Sequence, residues 1–286
     1  MNTFYLPIRS FGDFIITASV VKHNFVNKIP IILPDYFKEI FSAINAESLF
    51  EIRSTNNYKN QPAFFELYKV KDFKNFTRLI NDIKILISTV NHNDRYLVDY
   101  SSKRLAFTRA NLVWPEKKLN AYEGRLKLFS DLNLIRDNSS ADLINTVDPD
   151  KLTRILILPD SRIEIKSISP DLVQLIRNEF KSIVTNVAHF STNNNRVNND
   201  CLYYSSFNEL IALISSYDLI ISAESLPYHL ASHLKKAHFV IYNQSRHFDA
   251  KFMTPFMVAN KYYSLFTGSN AKSIIGDLSK ILLGNA

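Results

Sequence analysis

The sequence predicts an α/β protein made of two Rossmann-like halves, and three observations carry that prediction. Short β-branched or aromatic runs alternate with longer amphipathic stretches, the pattern of a parallel sheet wrapped by helices. The rhythm stops over residues 136–150, a polar and aperiodic stretch broken by Asn138-Ser139-Ser140 and Asp148-Pro149-Asp150, and then restarts. The length of 286 residues suits one large domain or two ordinary ones. The expected domains are therefore 1–145 and 146–286.

In the first half, residues 4–8 read as a strand, and Ser10-Phe11-Gly12-Asp13 as a tight turn into a helix reaching about His23. Residues 29–33 form a second strand. Pro34 then opens a helix to about Ile44, since a proline in the first helical turn removes no bond the helix needs. Residues 49–52, 64–68, 83–88, 96–99 and 105–108 read as further strands. Residues 119–134 make a long amphipathic helix with Tyr122, Leu126, Phe129 and Leu132 on its apolar side.

In the second half, strands are expected at 154–158, 183–188, 201–204, 218–222 and 238–242. Helices are expected at 170–180, 207–216, 227–236 and 269–283, and the asparagine-rich tract 192–200 as a surface loop. Two such halves joined by a short linker put a cleft between them, with ligands bound where strand C-termini face it.

Composition narrows the function. At 46% hydrophobic and 21% charged residues the chain can build a well-buried core. Its single cysteine, Cys201, excludes an internal disulfide framework and reads as a small core residue rather than a nucleophile. Residues 1–10 carry no secretory pattern, and the apolar runs at 14–17 and 219–221 fall far short of the roughly 20 residues that span a bilayer. A cytoplasmic protein is expected, with peripheral association at the inner membrane left open. The net charge of +7 invites an anionic partner, although a solvated basic surface explains it equally well. No basic block, arginine-rich tail or zinc-finger spacing supports nucleic acid, and five glycines leave neither a Walker loop nor G-x-G-x-x-G.

Three segments carry a resemblance. The first is Gly12-Asp13 followed by Ile16-Thr17. The second is Leu158-Pro159-Asp160-Ser161-Arg162 with Lys166. The third runs from Glu209-Leu210 through Asp218-Leu219-Ile220-Ile221-Ser222-Ala223-Glu224-Ser225 to Pro227-Tyr228-His229-Leu230-Ala231. In order and spacing they resemble glycosyltransferase family 9, the ADP-heptose:lipopolysaccharide heptosyltransferases and their relatives. The second segment is similar to that family's P-G-x-x-R/S-x-x-K turn, and the third to its E-L-x-x-L-I-x-x-A-D-L-V-I-x-x-D-T-G-P-x-H-L-A block. The resemblance implies a GT-B fold, two Rossmann-like domains facing each other across a cleft, with the acceptor on the N-terminal domain and a nucleotide-sugar donor on the C-terminal one. It also implies inverting transfer, without a metal, to a glycan or glycolipid acceptor such as lipopolysaccharide or capsule. The chain departs from the family pattern at Asp160 and Leu226, where the family has glycine, and at Glu224, where it has aspartate. Asp160 is expected to place a repulsive charge beside a phosphate.

Glycosyl transfer needs a base for the acceptor hydroxyl, cations or amides for the departing diphosphate, and alignment of both substrates. Asp13 is the candidate base; the competing reading makes it a helix N-cap. Arg162 and Lys166, with Ser161 beside them, are candidates to hold the diphosphate, against a plain solvated turn. Glu224, Ser225 and the helix opening at Pro227 are expected to complete the donor site, with simple capping as the alternative for Ser225. The resemblance gives Glu209 the nucleotide ribose and His229 a place in the donor pocket; an exposed carboxylate near a helix start is the other reading of Glu209. His229 and His233 stand four apart, but no third ligand accompanies them and no metal site is expected. Two other functions stay open: a catalytically inactive GT-B relative that binds or scaffolds, and a GT-B epimerase or phosphorylase acting on a sugar nucleotide or glycan.

Overall fold

The computed structural model describes residues 1–60, 73–99, 111–116, 118–136, 151–162, 164–191, 200–243, 263–266 and 270–282. The chain divides into two compact units, Met1–Ser139 and Ser140–Ala286.

In the first unit the elements run β1 (Thr3–Tyr5), α1 (Phe11–His23), β2 (Ile29–Pro34), α2 (Lys38–Ala43), β3 (Phe50–Asn56), α3 (Phe73–Thr89), β4 (Arg95–Leu97), β5 (Asn111–Val113) and α4 (Ala121–Asp131). The strands pair in parallel in the order β3-β2-β1-β4-β5. Tyr5 lies level with Ile31 on one side and Leu97 on the other. Helix α1 begins where Ser10 accepts a hydrogen bond from the Asp13 amide, and it is buried from Asp13 to Val21. A helix apolar on nearly every side belongs inside a domain. Phe14 stacks there among Tyr5, Phe37, Phe41 and Phe50, with ring centroids 5.2–6.3 Å apart. Burying each ring contributes about 2–3 kcal/mol.

Three expectations for this unit are corrected. Residues 83–88 are not a strand; they are the second half of α3. Their isoleucines mimic a β-run, but over the whole helix Leu79, Asp82 and Leu86 point inward at spacings of three and four while Ile80 and Ile87 are exposed. Pro34 does not open a helix: with ψ at 143° it closes β2, and a 3-10 turn over Asp35–Phe37 precedes a short α2. Strand β5 was not foreseen. The first strand stops at Tyr5 by its ladder, yet Leu6 N–H still donates to Leu97 O at 2.8 Å. The strands expected at 64–68 and 105–108 lie outside the described residues.

The second unit runs β6 (Arg154–Leu158), α5 (Pro170–Glu179), β7 (Val184–Phe190), β8 (Cys201–Tyr204), α6 (Phe207–Ser216), β9 (Leu219–Ala223), α7 (Leu226–His233), β10 (Ala237–Asn243), β11 (Tyr263–Phe266) and α8 (Ala271–Leu282). All pairings are parallel, in the order β11-β10-β9-β6-β7-β8. Counted from β6, this is the 3-2-1-4-5-6 order of dinucleotide-binding sheets. Ile155, Ile157, Leu219, Ile221, Phe239 and Ile241 alternate onto one face and pack against Leu172 and Ile176 of α5 and Ile274 and Leu278 of α8. The intervening residues Leu156, Ile220 and Val240 are equally buried, as a parallel sheet covered on both faces requires. Cys201 packs against the same core with a free thiol. Strand β11 was not foreseen, and the tract expected as a loop over 192–200 is described only at Asp200.

Candidate functional site

In sheets of this kind ligands bind beyond the carboxyl ends of the strands, at the point where the strand order reverses. Each unit has one such point, between β1 and β4 and between β6 and β9, and charged residues gather at both.

At the β6/β9 point the chain leaves β6 through Pro159 and Asp160, turns at Ser161 and Arg162, and reaches a 3-10 turn at Glu164–Lys166. The turn is pinned by Ile168 N–H donating to Pro159 O at 2.9 Å and Ser161 N–H donating to Ser167 Oγ at 3.0 Å. From the neighbouring strand β9 come Glu224 and Ser225. Lys166 Nζ donates to Glu224 Oε2 at 2.5 Å. The other carboxylate oxygen lies 3.4 Å from His229 Nε2 in the first turn of α7. The Lys166 side chain is 20% exposed and that of Glu224 only 5%, so the ammonium faces a carboxylate with little water to share. Ser225 holds the N-cap position of α7 but makes no side-chain bond to that helix. Its hydroxyl donates instead to Asp160 O at 3.1 Å, tying the two loops together. Pro227 is the second residue of α7, where its missing N–H breaks no bond.

The structure thus brings together Lys166, Glu224, Ser225 and His229, with Asp160. Arg162 lies exposed on the turn. Glu209 is the third residue of α6, and its recorded bonds run locally. Its Oε2 accepts from Ser205 N–H at 2.6 Å and from Ser205 Oγ–H at 3.0 Å, while Ser206 Oγ accepts from Glu209 N–H at 3.2 Å. The two bonds from Ser205, the backbone one foremost, hold its carboxyl below the usual range. This is the geometry of a capping residue at an exposed helix start.

Asp160 differs from expectation. Its carboxylate oxygens lie 3.1 and 3.0 Å from His189 Nδ1, and Oδ2 also accepts from Phe190 N–H at 3.3 Å. The hydrogen bond to Asp160 raises the His189 pKa against the opposing effect of burial. The charge that was expected to repel a phosphate is turned to an imidazole on β7. Among the described residues no group of three or more His, Cys, Asp or Glu side chains is placed to hold a metal. His233 is buried in α7, a packing position.

At the β1/β4 point Asp13 is 7% exposed. It is not the N-cap of α1: Ser10 is, and Asp13 stands three residues on, accepting from Ser10 Oγ–H at 2.6 Å while giving its own N–H to Ser10 Oγ at 3.2 Å. Arg125 of α4, only 3% exposed, donates from Nη2 to Asp13 Oδ1 at 2.9 Å and to Asp99 O at 3.2 Å. Its Nε donates to Thr17 Oγ1 at 2.9 Å and its Nη1 to Ala121 O at 2.8 Å. Asp99, just past β4, accepts on Oδ1 from Tyr5 O–H at 2.6 Å and Thr17 Oγ1–H at 3.2 Å. Its Oδ2 is buried with no hydrogen-bond partner among the described residues. Arg125 Nη2 also lies 4.0 Å from Asp99 Oδ1, so both carboxylates face its guanidinium, and Arg9 Nη1 adds a 3.5 Å contact to Asp13 Oδ1. Burial pushes the Asp99 carboxyl up to about 6, opposed by Arg125 and reinforced by Asp13.

Arg125, Asp99 and His189 were not anticipated. Arg125 sits on an amphipathic helix 112 residues from the carboxylate it binds, where local sequence reads it as a solvated charge. The Gly12-Asp13…Thr17 segment gave one hint, since Thr17 joins the network.

No protein-family model matches the chain, and no curated protein matches it in sequence. Solved structures do. The chain superposes on E. coli heptosyltransferase WaaC, solved with ADP-2-deoxy-2-fluoro heptose, with a TM-score of 0.63, 11% identity and 100% of both chains covered. The glycosyl transferase family 9 protein from Veillonella parvula DSM 2008 gives 0.62, 11% identity, and 99% and 97% coverage. The E. coli ADP-heptose lps heptosyltransferase II gives 0.57, 12% identity, and 100% and 99% coverage. The chain has the GT-B fold. The expected resemblance to these heptosyltransferases is borne out, at these identities as a likeness of fold. Both switch-point clusters belong to this GT-B chain's own sequence.

Proposed function

We propose that the chain is a GT-B glycosyltransferase that moves a sugar from a nucleotide-sugar donor to a bacterial surface glycan or glycolipid, lipopolysaccharide or capsule, inverting the anomeric carbon without a metal. The observation that carries the reading is the Lys166–Glu224–His229 cluster at the switch point of a dinucleotide-type sheet. A chain that follows WaaC over its full length supplies the context, and the ADP-heptose analogue bound to WaaC favours a nucleotide sugar as the donor class.

In this reading Lys166 meets the diphosphate, and Glu224, steadied by His229, aims the ammonium. Ser161, Arg162 and Ser225 line the same phosphate turn, with Pro227 opening α7 beside it, while Glu209 builds the start of α6. Asp13 takes the proton of the acceptor hydroxyl as its oxygen attacks the anomeric carbon and the bond to the diphosphate breaks. Charge grows on the leaving oxygens, where a preplaced ammonium stabilises it more than in the ground state. Arg125 and Ser10 keep the Asp13 carboxylate in one orientation. No described helix is long and apolar enough to cross a membrane; the reading places the enzyme in the cytoplasm, meeting its acceptor at the inner face of the inner membrane.

One observation favours the second reading, an inactive binding relative: Asp13 is buried and its carboxylate is already engaged by Arg125 and Ser10. Incubation with ADP-, UDP-, GDP- and CMP-sugars, with and without a lipopolysaccharide core acceptor, separates the two. Transfer predicts acceptor-dependent nucleotide release that drops on the order of 100-fold or more in Asp13→Ala. Binding of a nucleotide with no release from any donor overturns transfer, and turnover without acceptor points to an epimerase or hydrolase.

A further inference from the structure

His189 has no part in the roles given above, yet it lies beside the proposed phosphate turn. It is the penultimate residue of β7, the strand paired with β6, and the register Ile157↔Val187 sets it level with Pro159 at the end of β6. Asp160 joins it to that turn from both ends: the carboxylate holds His189 Nδ1 at 3.0 and 3.1 Å, and the carbonyl accepts the Ser225 hydroxyl at 3.1 Å. The imidazole is 34% exposed, so a ligand can reach it. A carboxylate at Nδ1 requires that nitrogen to carry the proton, which leaves Nε2 as the nitrogen for a ligand. Among the described residues the charged group facing the ring is Asp160, from the segment leaving β6; from β8 its neighbour is the Tyr203 ring, with centroids 6.2 Å apart.

We infer that His189, held through Nδ1 by Asp160, is a second cationic ligand of the diphosphate, donating from Nε2 to a phosphate oxygen beside Lys166. The inference rests on the nucleotide-sugar reading of this site and adds a residue to it. It also gives the unusual aspartate a use. A glycine at this place would let a phosphate approach bare backbone. Here Asp160 replaces that approach with a charge-assisted hydrogen bond through the imidazole, and its own negative charge is met by His189 and the Phe190 amide. The Asp160 bond raises the His189 pKa, the direction that favours the imidazolium.

Calorimetric titration with ADP, UDP, GDP and inorganic pyrophosphate tests this. The variants are His189→Asn, which keeps an N–H near the Nδ1 position, and His189→Gln, which keeps one near Nε2. The expected result is about a tenfold loss of pyrophosphate and nucleotide affinity in His189→Asn, with an unchanged melting temperature, and a smaller loss in His189→Gln. Asp160→Asn gives an independent readout. The inference predicts weaker binding because the imidazolium loses its partner, whereas an aspartate that merely repelled phosphate would give tighter binding on removal. Equal affinities in wild type and His189→Asn, or tighter binding by Asp160→Asn, overturn the inference. If nucleotides bind regardless of His189, the inference falls and the donor-site reading stands. If pyrophosphate binds through His189 but no nucleotide binds, the inference stands and that reading falls. If nothing binds to wild type, both fall.

Discussion

Lys166 Nζ and Glu224 Oε2 meet 2.5 Å apart, and their bond joins the segment that leaves β6 to the one that leaves β9. Strand order makes those two segments neighbours although 58 residues separate them. The ammonium stands where a doubly wound sheet receives its ligand, and it stands there because a nearly buried carboxylate holds it.

That arrangement predicts an asymmetry in stability. Lys166→Met leaves Glu224 buried, with only its contact to His229 among the described residues, and should cost roughly 1–3 kcal/mol in urea denaturation. Adding Glu224→Gln removes the stranded charge and should recover part of the loss. A double variant less stable than Lys166→Met contradicts the pairing.

Arg125 carries a larger share. It is buried between Asp13 and Asp99 and donates to Thr17 and to two backbone carbonyls as well. Arg125→Met should destabilise the fold by about 3–5 kcal/mol, the usual cost of removing one partner from a buried ion pair, with Arg9 still 3.5 Å from Asp13 Oδ1. Equilibrium denaturation measures it, and a loss under 1 kcal/mol would place these carboxylates in water after all.

Asp99 makes stability depend on pH with a definite sign. Its folded pKa, about 6, lies above the usual 3.8. The folded protein therefore holds a proton that the unfolded chain has released, and this contribution is full below about pH 4 and lost as pH rises through about 6. Buried His238, whose pKa burial pushes down to about 4 from 6.5, acts with the opposite sign, its contribution being lost as pH falls. Wild type should show the two partly cancelling. Asp99→Asn should remove the falling component, so that its stability rises more steeply between about pH 4 and 6. Parallel pH profiles for the two proteins contradict a raised Asp99.

Glu209→Ala should lower the melting temperature by fraying the start of α6, since the Ser205 amide and hydroxyl lose their acceptor. Nucleotide affinity should stay unchanged. A large loss of affinity instead would give this carboxylate the ribose contact that the family resemblance implies.

What the sequence conveys depends on how local each signal is. Strands β6 and β8 and helix α6 lie where hydrophobic runs and capping serines place them, at 154–158, 201–204 and 207–216. Residues 83–88 mislead because Ile83, Ile85 and Ile87 alternate as in a strand and mask a helical period that shows only over 17 residues. At the site, Lys166, Glu224, Ser225 and His229 are legible because each lies in the segment leaving a strand or in the first turn of a helix, where ligands gather. Arg125 and His189 are not. Their meaning lies in partners 112 and 29 residues away, and nothing in the neighbouring residues marks this arginine as buried or this histidine as paired.

The central claim is that the second unit binds a nucleotide through Lys166, and calorimetric titration of ADP, UDP, GDP and CMP into wild type and Lys166→Ala tests it most directly. The account predicts that one nucleotide binds wild type and binds Lys166→Ala at least about tenfold more weakly, the loss of one charge-assisted phosphate contact. Equal binding by both proteins, or none by wild type, would contradict it.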